Sequence, residues 1–411
     1  MNIVLVNDFA HVNGGVAQVV LASARELARR GHAVVLLAAV DGAGPDIGGI
    51  RVVSTHQQEI ATDPSRLRAA TQGLWNLKAQ RAMRALLASL DPQNTIVHLH
   101  GWTKALSSSV IHEALRRDFP LVTTLHDYFS ACPNGGFFNY QTLTPCSLRP
   151  LSGACIATHC DSRSYPQKLW RVARQFVQQG AAGYPRNARH FITVSRFSAD
   201  ILSQHLPAGC TIHAVRNPVT ATRGEPVAVA SNSAFTYLGR LSPEKGAVLM
   251  ARAAAAANLP ATFVGDGPLR EQVASACPAA RMAGWLRSEQ ALTELRRARA
   301  LVLPSLWYET QGLVVSEAAA MGVPAIVPDG CAARDWVVNG VTGLWFKSGD
   351  QDDLQRKMAQ LHGDPALAAQ MGAAAFERFW SDPPTLAQHA NELETVYREV
   401  ASNYIAQPQH A

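Results

Sequence analysis

Short apolar runs rich in β-branched residues alternate along this chain with longer segments of helical periodicity. In the first half, residues 3–6 (IVLV), 33–39, 95–99, 121–125, 191–194 and 212–215 read as strands. Runs that are apolar throughout, not alternating, suit a parallel sheet covered on both faces. Helical stretches separate them. One opens at Gly14-Gly15 and closes at Arg29-Arg30-Gly31, where basic side chains and a glycine suit a helix C-terminus. Another starts at Asp63-Pro64, an N-cap and N1 pair, and is expected to run as one long helix to about Leu90. Its Arg66, Arg68, Lys78, Arg81 and Arg84 read as a solvated face. Ser195 is placed to cap a further helix. The second half repeats the rhythm, with strands at 235–238, 262–264, 301–303 and 323–327. One more strand ends at Gly284-Trp285-Leu286, and another follows the turn-rich Asn339-Gly340-Val341-Thr342-Gly343. This alternation is the mark of the α/β class.

The organisation follows from the same pattern. Residues 1–219 form one Rossmann-like unit, 220–233 a small, polar linker, and 234–382 a second unit. Helical periodicity returns over 383–411. A length of 411 residues accommodates two or three domains, and 47% apolar with 17% charged residues describes a globular chain. The start, MNIVLVNDFAHVNGG, has no basic opening and a broken apolar run, so no secretory leader is expected. No window of about 18 apolar residues exists to span a membrane. A cytoplasmic location is the expectation.

Candidate chemistry concentrates in LVLPSLWYETQGLVVSEAAAMGVPAIVP, residues 301–328. It reads as strand, loop, helix, strand, with Glu309 in the loop and Glu317 about two turns into the helix. The amides of Gln311, Gly312 and Leu313 open that helix without intrahelical partners, which makes an anion site. Gly312 allows close backbone approach, and a carboxylate at Glu317 can accept a pair of sugar hydroxyls. Phosphate plus ribose is a nucleotide site; Glu309 as a mere helix cap is the simpler alternative. Upstream, the strand at 235–238 runs into Gly239-Arg240-Leu241-Ser242-Pro243-Glu244-Lys245-Gly246, delivering two cations suited to a diphosphate.

The seven-residue spacing between Glu309 and Glu317, its flanking PS, GL and EAAAMGVP, and the G-R-L…K-G pattern resemble the retaining glycosyltransferases of family 4. That resemblance covers nearly the whole chain. It implies the GT-B fold: two Rossmann-like domains facing a cleft, with a C-terminal helix crossing back to the first. It also implies transfer of a sugar from a nucleoside-diphosphate-sugar to a saccharide or lipid-linked, polyprenyl-type acceptor, as in bacterial surface polysaccharide assembly. Arg240 and Lys245 would stabilise the leaving diphosphate, Glu309 would bond the sugar, and Glu317 the ribose. His126, at a strand end, would face the donor sugar, and the Gly14-Gly15 loop would meet the donor diphosphate. Trp285 would stack on the base. His100, Trp102 and Asp127 fall at strand ends on the acceptor side, while His98 is expected to point into the core. Asp329-Gly330-Cys331 departs from the family pattern, with Asp335 a candidate replacement acid. No D-x-D metal motif is convincing, since Asp350 and Asp352 sit at a late helix start; metal-independent transfer without a catalytic cofactor is expected. A nucleotide-sugar epimerase, or a non-catalytic nucleotide-sugar-binding subunit, is the alternative on the same fold. A phosphorylase-like enzyme would need a pyridoxal lysine that is not evident.

Two segments stand apart. Residues 128–165 form a Pro-, Gly- and Ser-rich insertion holding Cys132, Cys146, Cys155 and Cys160. In a reducing compartment these four make a candidate structural zinc site, or a set of partly buried thiols. Residues 163–196 then carry Arg163, Lys168, Arg171, Arg174, Arg186, Arg189 and Arg196 with no acidic residue. The helical spacing of Lys168, Arg171 and Arg174 suits an anionic membrane surface, or simply solvent. The net charge of +6 brings no nucleic-acid motif with it.

Overall fold

The structure is a computed structural model that describes residues 1–42 and 50–406. Thirteen of its strands build two parallel sheets. The first contains β1 (Asn2–Val6), β2 (Ala33–Ala38), β3 (Arg51–Ser54), β4 (Thr95–Leu99), β5 (Leu121–Leu125), β8 (His190–Thr193) and β9 (Thr211–Ala214). Its order is β3-β2-β1-β4-β5-β8-β9. A two-stranded antiparallel hairpin, β6 (Phe138–Asn139) and β7 (Thr144–Pro145), lies in the excursion between β5 and β8. The second sheet orders β10 (Ala234–Leu238), β11 (Ala261–Val264), β12 (Arg281–Gly284), β13 (Ala298–Val302), β14 (Ala325–Pro328) and β15 (Gly343–Phe346) as β12-β11-β10-β13-β14-β15.

Alternation along β1 shows why its run is apolar throughout. Ile3 and Leu5 pack with the helix Gly15–Arg29, and Val4 and Val6 pack on the opposite face with the helices Leu77–Leu87 and Ser109–Arg116. The C-terminal helix Leu386–Ala406 returns to the first unit. Its Ala390, Leu393, Val396, Tyr397 and Val400 share one core with Ile3 and Leu5. Tyr397 hydroxyl bonds His98 Nδ1 at 2.6 Å, and His389 sits between Ser23 Oγ at 2.9 Å and the Arg216 carbonyl at 2.8 Å. Residues 407–411 of the expected 383–411 segment lie outside the described residues.

The expected long helix after Asp63 is two helices, Arg66–Leu74 and Leu77–Leu87. Trp75 is extended, and the fully buried Asn76 caps the second helix by accepting from Ala79 N at 3.0 Å while donating to the Ala105 carbonyl at 2.9 Å. An asparagine with both partners in place favours a cap over helix continuation. Ser65 caps the first helix, and Asp63 instead accepts from Ser65 N and Arg68. The edge strand β3 lies outside the expected set, its residues exposed or half-buried and without an apolar run. No helix among the described residues is long and apolar enough to cross a membrane.

Tyr397→Phe should test the docking of the C-terminal helix. His98 is fully buried, so loss of the hydroxyl leaves its Nδ1 unpaired at a cost of about 1–3 kcal/mol. Urea denaturation should show a lower midpoint with unchanged helical circular dichroism. An unchanged midpoint would mean that this bond does not hold the helix.

Candidate active site

Both sheets send the carboxyl ends of their strands toward a common cleft, where open α/β sheets place their ligands. In the second unit, the loop after β10 carries Arg240 and Lys245, and the loop after its neighbour β13 carries Glu309. Lys245 Nζ donates to Glu309 Oε1 at 2.7 Å, and Ser305 Oγ donates to the same oxygen at 2.6 Å. Burial pushes the Glu309 carboxyl up, but the Lys245 charge and these hydrogen bonds hold it below the usual carboxylate range. Lys245 also lies 5.2 Å from the centre of the Trp307 ring. Gly246 has φ 70°, and a Cβ there would overlap the Pro304 carbonyl oxygen, so only glycine lets the two loops meet. Arg240 is exposed and held by Glu244 Oε1 at 2.8 Å, which also accepts from Ser242 Oγ at 2.7 Å. Glu244, itself buried, is a site residue that a reading for cations overlooks; its place inside the same short motif was the available signal.

The helix Leu313–Ala320 begins with Gly312 in the left-handed region as its N-cap. The amides of Gln311, Gly312 and Leu313 find no acceptor among the described residues. Across the cleft, Gly14 caps the helix Gly15–Arg29, and a Cβ on Gly15 would lie 3.8 Å from Leu313 Cδ1. Two helix N-termini, each with a positive dipole end, therefore lie close together. Glu317 is half-buried, accepts no hydrogen bond from a described residue, and is pushed up to about 7 by burial. Trp285 stands 72% exposed beyond β12.

The first unit closes on this loop through polar contacts that the sequence does not reveal. Thr310 Oγ1 donates to the His126 carbonyl at 3.0 Å, Tyr128 hydroxyl to the Glu309 carbonyl at 3.3 Å, and Asn217 Nδ2 to Gln311 Oε1 at 2.6 Å. Asp8, buried at the end of β1, accepts from the amides of Lys104, Ala105 and Leu106 and so pins the loop after β4. His126 is buried, and desolvation lowers its pKa to about 3. Asp127 is half-buried, with desolvation raising its carboxyl to about 6. His98 is in the core, as expected.

Several expectations need correction. Trp102 is buried, its indole donating to Gln178 Oε1 at 2.9 Å and its ring edge-on to Tyr184, so it faces the core and not an acceptor. His100 is likewise enclosed, with Nδ1 3.0 Å from His126 Nε2. Asp335 accepts from Phe197 N at 3.1 Å, capping a helix of the first unit instead of meeting a sugar. Asp350, by contrast, is at the helix start where it was expected, capping Gln351–Gly363 by accepting from Asp353 N at 2.9 Å.

The four cysteines are free thiols, and no group of three or more His, Cys, Asp or Glu among the described residues is placed to hold a metal ion. Lys168 Nζ lies 3.3 Å from Cys160 Sγ and 3.5 Å from Cys155 Sγ, and an ammonium there opposes a zinc cation. The basic helix, Tyr165–Gly180, does not present a cationic face either. Lys168 and Arg174 are buried, Arg174 stacks 4.8 Å from the Phe129 ring centre, and Arg171 pairs with Asp161 at 2.7 Å. Leu169 and Phe176 are exposed large apolar residues of that helix instead.

Two parallel-sheet units meeting at a cleft, with a last helix crossing back, define the GT-B class. Sucrose-phosphate synthase from Thermosynechococcus elongatus shares this fold at TM-score 0.71 and 18% identity, over 98% of this chain and 99% of that one. Anabaena HepE in complex with UDP does so at TM-score 0.65 and 15% identity, over 97% and 100%. Glycosyltransferase Family 4 matches residues 13–223 and Glycosyl transferases group 1 matches residues 222–378. The chain belongs to this glycosyltransferase family. Glycogen synthase of Mycobacterium tuberculosis is 27% identical over 379 residues, 85% of this chain and 86% of the relative. A GDP-mannose-dependent alpha-mannosyltransferase of the same organism is 35% identical over 114 residues, 28% of this chain and 30% of the relative.

Lys245→Met should strand the Glu309 carboxylate in a buried position, costing about 3–5 kcal/mol of stability at pH 8. Without its cation Glu309 has a folded pKa above its unfolded value, so this loss grows as pH rises above the ordinary carboxylate range and shrinks in acid. Denaturant unfolding of the parent and variant at pH 5 and pH 8 measures it. An equal loss at both values would contradict the pairing.

Proposed function

We propose that this chain transfers a hexosyl unit from a nucleoside-diphosphate-sugar to a saccharide or lipid-linked acceptor, with retention and without a catalytic metal. The observation that carries the reading is the Lys245–Glu309 pair standing beside the amides of residues 311–313, which find no acceptor among the described residues. The relatives, a glycogen synthase and a GDP-mannose-dependent alpha-mannosyltransferase, support a hexose on a nucleotide donor. Bacterial surface-glycan assembly is the setting we favour.

Chemically, the bond from the anomeric carbon to the β-phosphate oxygen breaks and negative charge grows on the diphosphate. Arg240, Lys245 and the amides of Gln311, Gly312 and Leu313 are the groups that would stabilise it. When Lys245 turns to phosphate, Glu309 is freed to accept from sugar hydroxyls. Glu317 takes the ribose, Trp285 the base, and His126 a sugar oxygen. The Gly14-Gly15 turn admits the diphosphate from the other side. The acceptor hydroxyl attacks from the face the phosphate leaves, and its proton passes to a phosphate oxygen. Asp127 lies on the acceptor side. We take residues 1–219 and 234–382 as the moving domains and 220–233 as the hinge, so that closure excludes water.

A panel of nucleotide-sugars, assayed for nucleoside diphosphate release, should identify one donor. With it, Arg240→Ala and Glu309→Ala, shown to be folded, should each lose roughly 100-fold or more in kcat. Parent-rate turnover by either would overturn the reading, and an inverted anomer by NMR would overturn retention. Glu317 must ionise to accept two ribose hydroxyls, so nucleoside diphosphate affinity should fall as pH drops below about 7. Calorimetry from pH 5.5 to 8.5 should show this dependence weakened in Glu317→Gln. Parallel profiles in parent and variant would remove Glu317 from the site.

A further inference from the structure

We propose that His100 is a positioning residue that fixes the proton of His126 on Nδ1, making His126 a hydrogen-bond donor to the cleft. The proposal rests on the transferase reading above, in which His126 meets the donor sugar.

The two imidazoles form a closed unit. His100 Nδ1 lies 3.0 Å from His126 Nε2, with ring centres 5.3 Å apart and planes 23° from parallel. His98 fixes the plane of His100 from behind, its ring centre 3.9 Å away. His98 is itself held at both nitrogens, by Tyr397 hydroxyl at 2.6 Å and Thr124 Oγ1 at 2.7 Å. Burial, reinforced by the neighbouring histidines, drives His100 and His126 far below the usual imidazole range. Both rings are therefore neutral, each carries one proton, and a single N–H lies between them.

That N–H has two possible owners. If it belongs to His126 Nε2, then His100 carries its proton on Nε2. That atom is fully enclosed and has no partner among the described residues, so a buried N–H would be left without an acceptor. If it belongs to His100 Nδ1, the enclosed Nε2 is only a lone pair. Orphaned buried N–H groups are the rarer and costlier kind, so the second arrangement wins. His126 then receives a bond at Nε2 and must carry its own proton on Nδ1. His126 Nδ1 has no partner among the described residues and, unlike His100 Nε2, is not sealed from solvent. Its backbone carbonyl accepts from Thr310, beside Glu309, so the ring stands next to the loop proposed to hold the donor. Free imidazole favours the opposite tautomer, with the proton on Nε2; holding Nδ1–H in place is the work of His100.

Long-range proton–nitrogen NMR on protein with ¹⁵N-labelled histidine tests this, His126 being assigned by its loss in His126→Gln. The parent should show His126 protonated on Nδ1. In His100→Leu the donated bond that selects this form is gone, so the Nδ1–H signal should weaken, with kcat on the identified donor down roughly tenfold, the value of one hydrogen bond, and KM for the acceptor unchanged. His100→Asn, whose side-chain N–H can reach the Nδ1 position, should recover most of the rate. His126 protonated on Nε2 in the parent, or equal rates for the Leu and Asn variants, would overturn the proposal. Should His100→Leu fail to fold, the parent spectrum alone decides. A parent that turns over no nucleotide-sugar would defeat the transferase reading, while the spectrum would still decide the role of His100.

Discussion

The ion pair between half-buried Lys245 and buried Glu309 is the interaction on which the cleft depends. It joins the loops after two neighbouring strands, β10 and β13, where each would otherwise leave a charge without a partner. Gly246 makes the approach possible because no side chain fits against Pro304. Ser305 and the Trp307 ring complete the surroundings, so a carboxylate stays ionised in a place where burial alone would neutralise it. Such a pair is costly as pure stabilisation. In the proposed reaction it would be charge set in advance, an ammonium for phosphate and a carboxylate for sugar hydroxyls.

Around that pair the two units come together through single polar contacts. Tyr128 and Thr310 tie the backbone carbonyls of Glu309 and His126 to the opposite unit, and Asn217 reaches Gln311 from the end of the first unit. The C-terminal helix supports the other side, its Tyr397 holding His98, which stacks on His100, which bonds His126. A chain of buried contacts therefore runs from the last helix to the cleft. Each member is desolvated and neutral, so the chain transmits position and not charge.

The fold was legible because a strand buried on both faces must be apolar throughout, and most strands announce themselves that way. Edge strand β3, half exposed, carries no such mark. The motif residues were legible because cations, glycines and carboxylates at fixed spacing serve one kind of ligand. Direction was not legible. Lys168, Arg171 and Arg174 count as a basic face in sequence, yet they turn inward to thiols, an aspartate and aromatic rings. His100 shares the strand parity of the core residue His98, and Trp102 shares it too, so residues just past a strand end fold back into the core. Asn76 looked like a helix interior until its side chain found Ala79 and Ala105. In each case a tertiary partner, distant in sequence, decides the outcome.

A crystal structure with the nucleoside-diphosphate-sugar identified by assay is the most direct measurement. The account predicts the diphosphate at the amides of residues 311–313 between Arg240 and Lys245, the ribose on Glu317, and the Lys245–Glu309 contact opened so that Glu309 meets the sugar. A nucleotide bound away from Glu317, with Lys245 and Glu309 still paired, would contradict it.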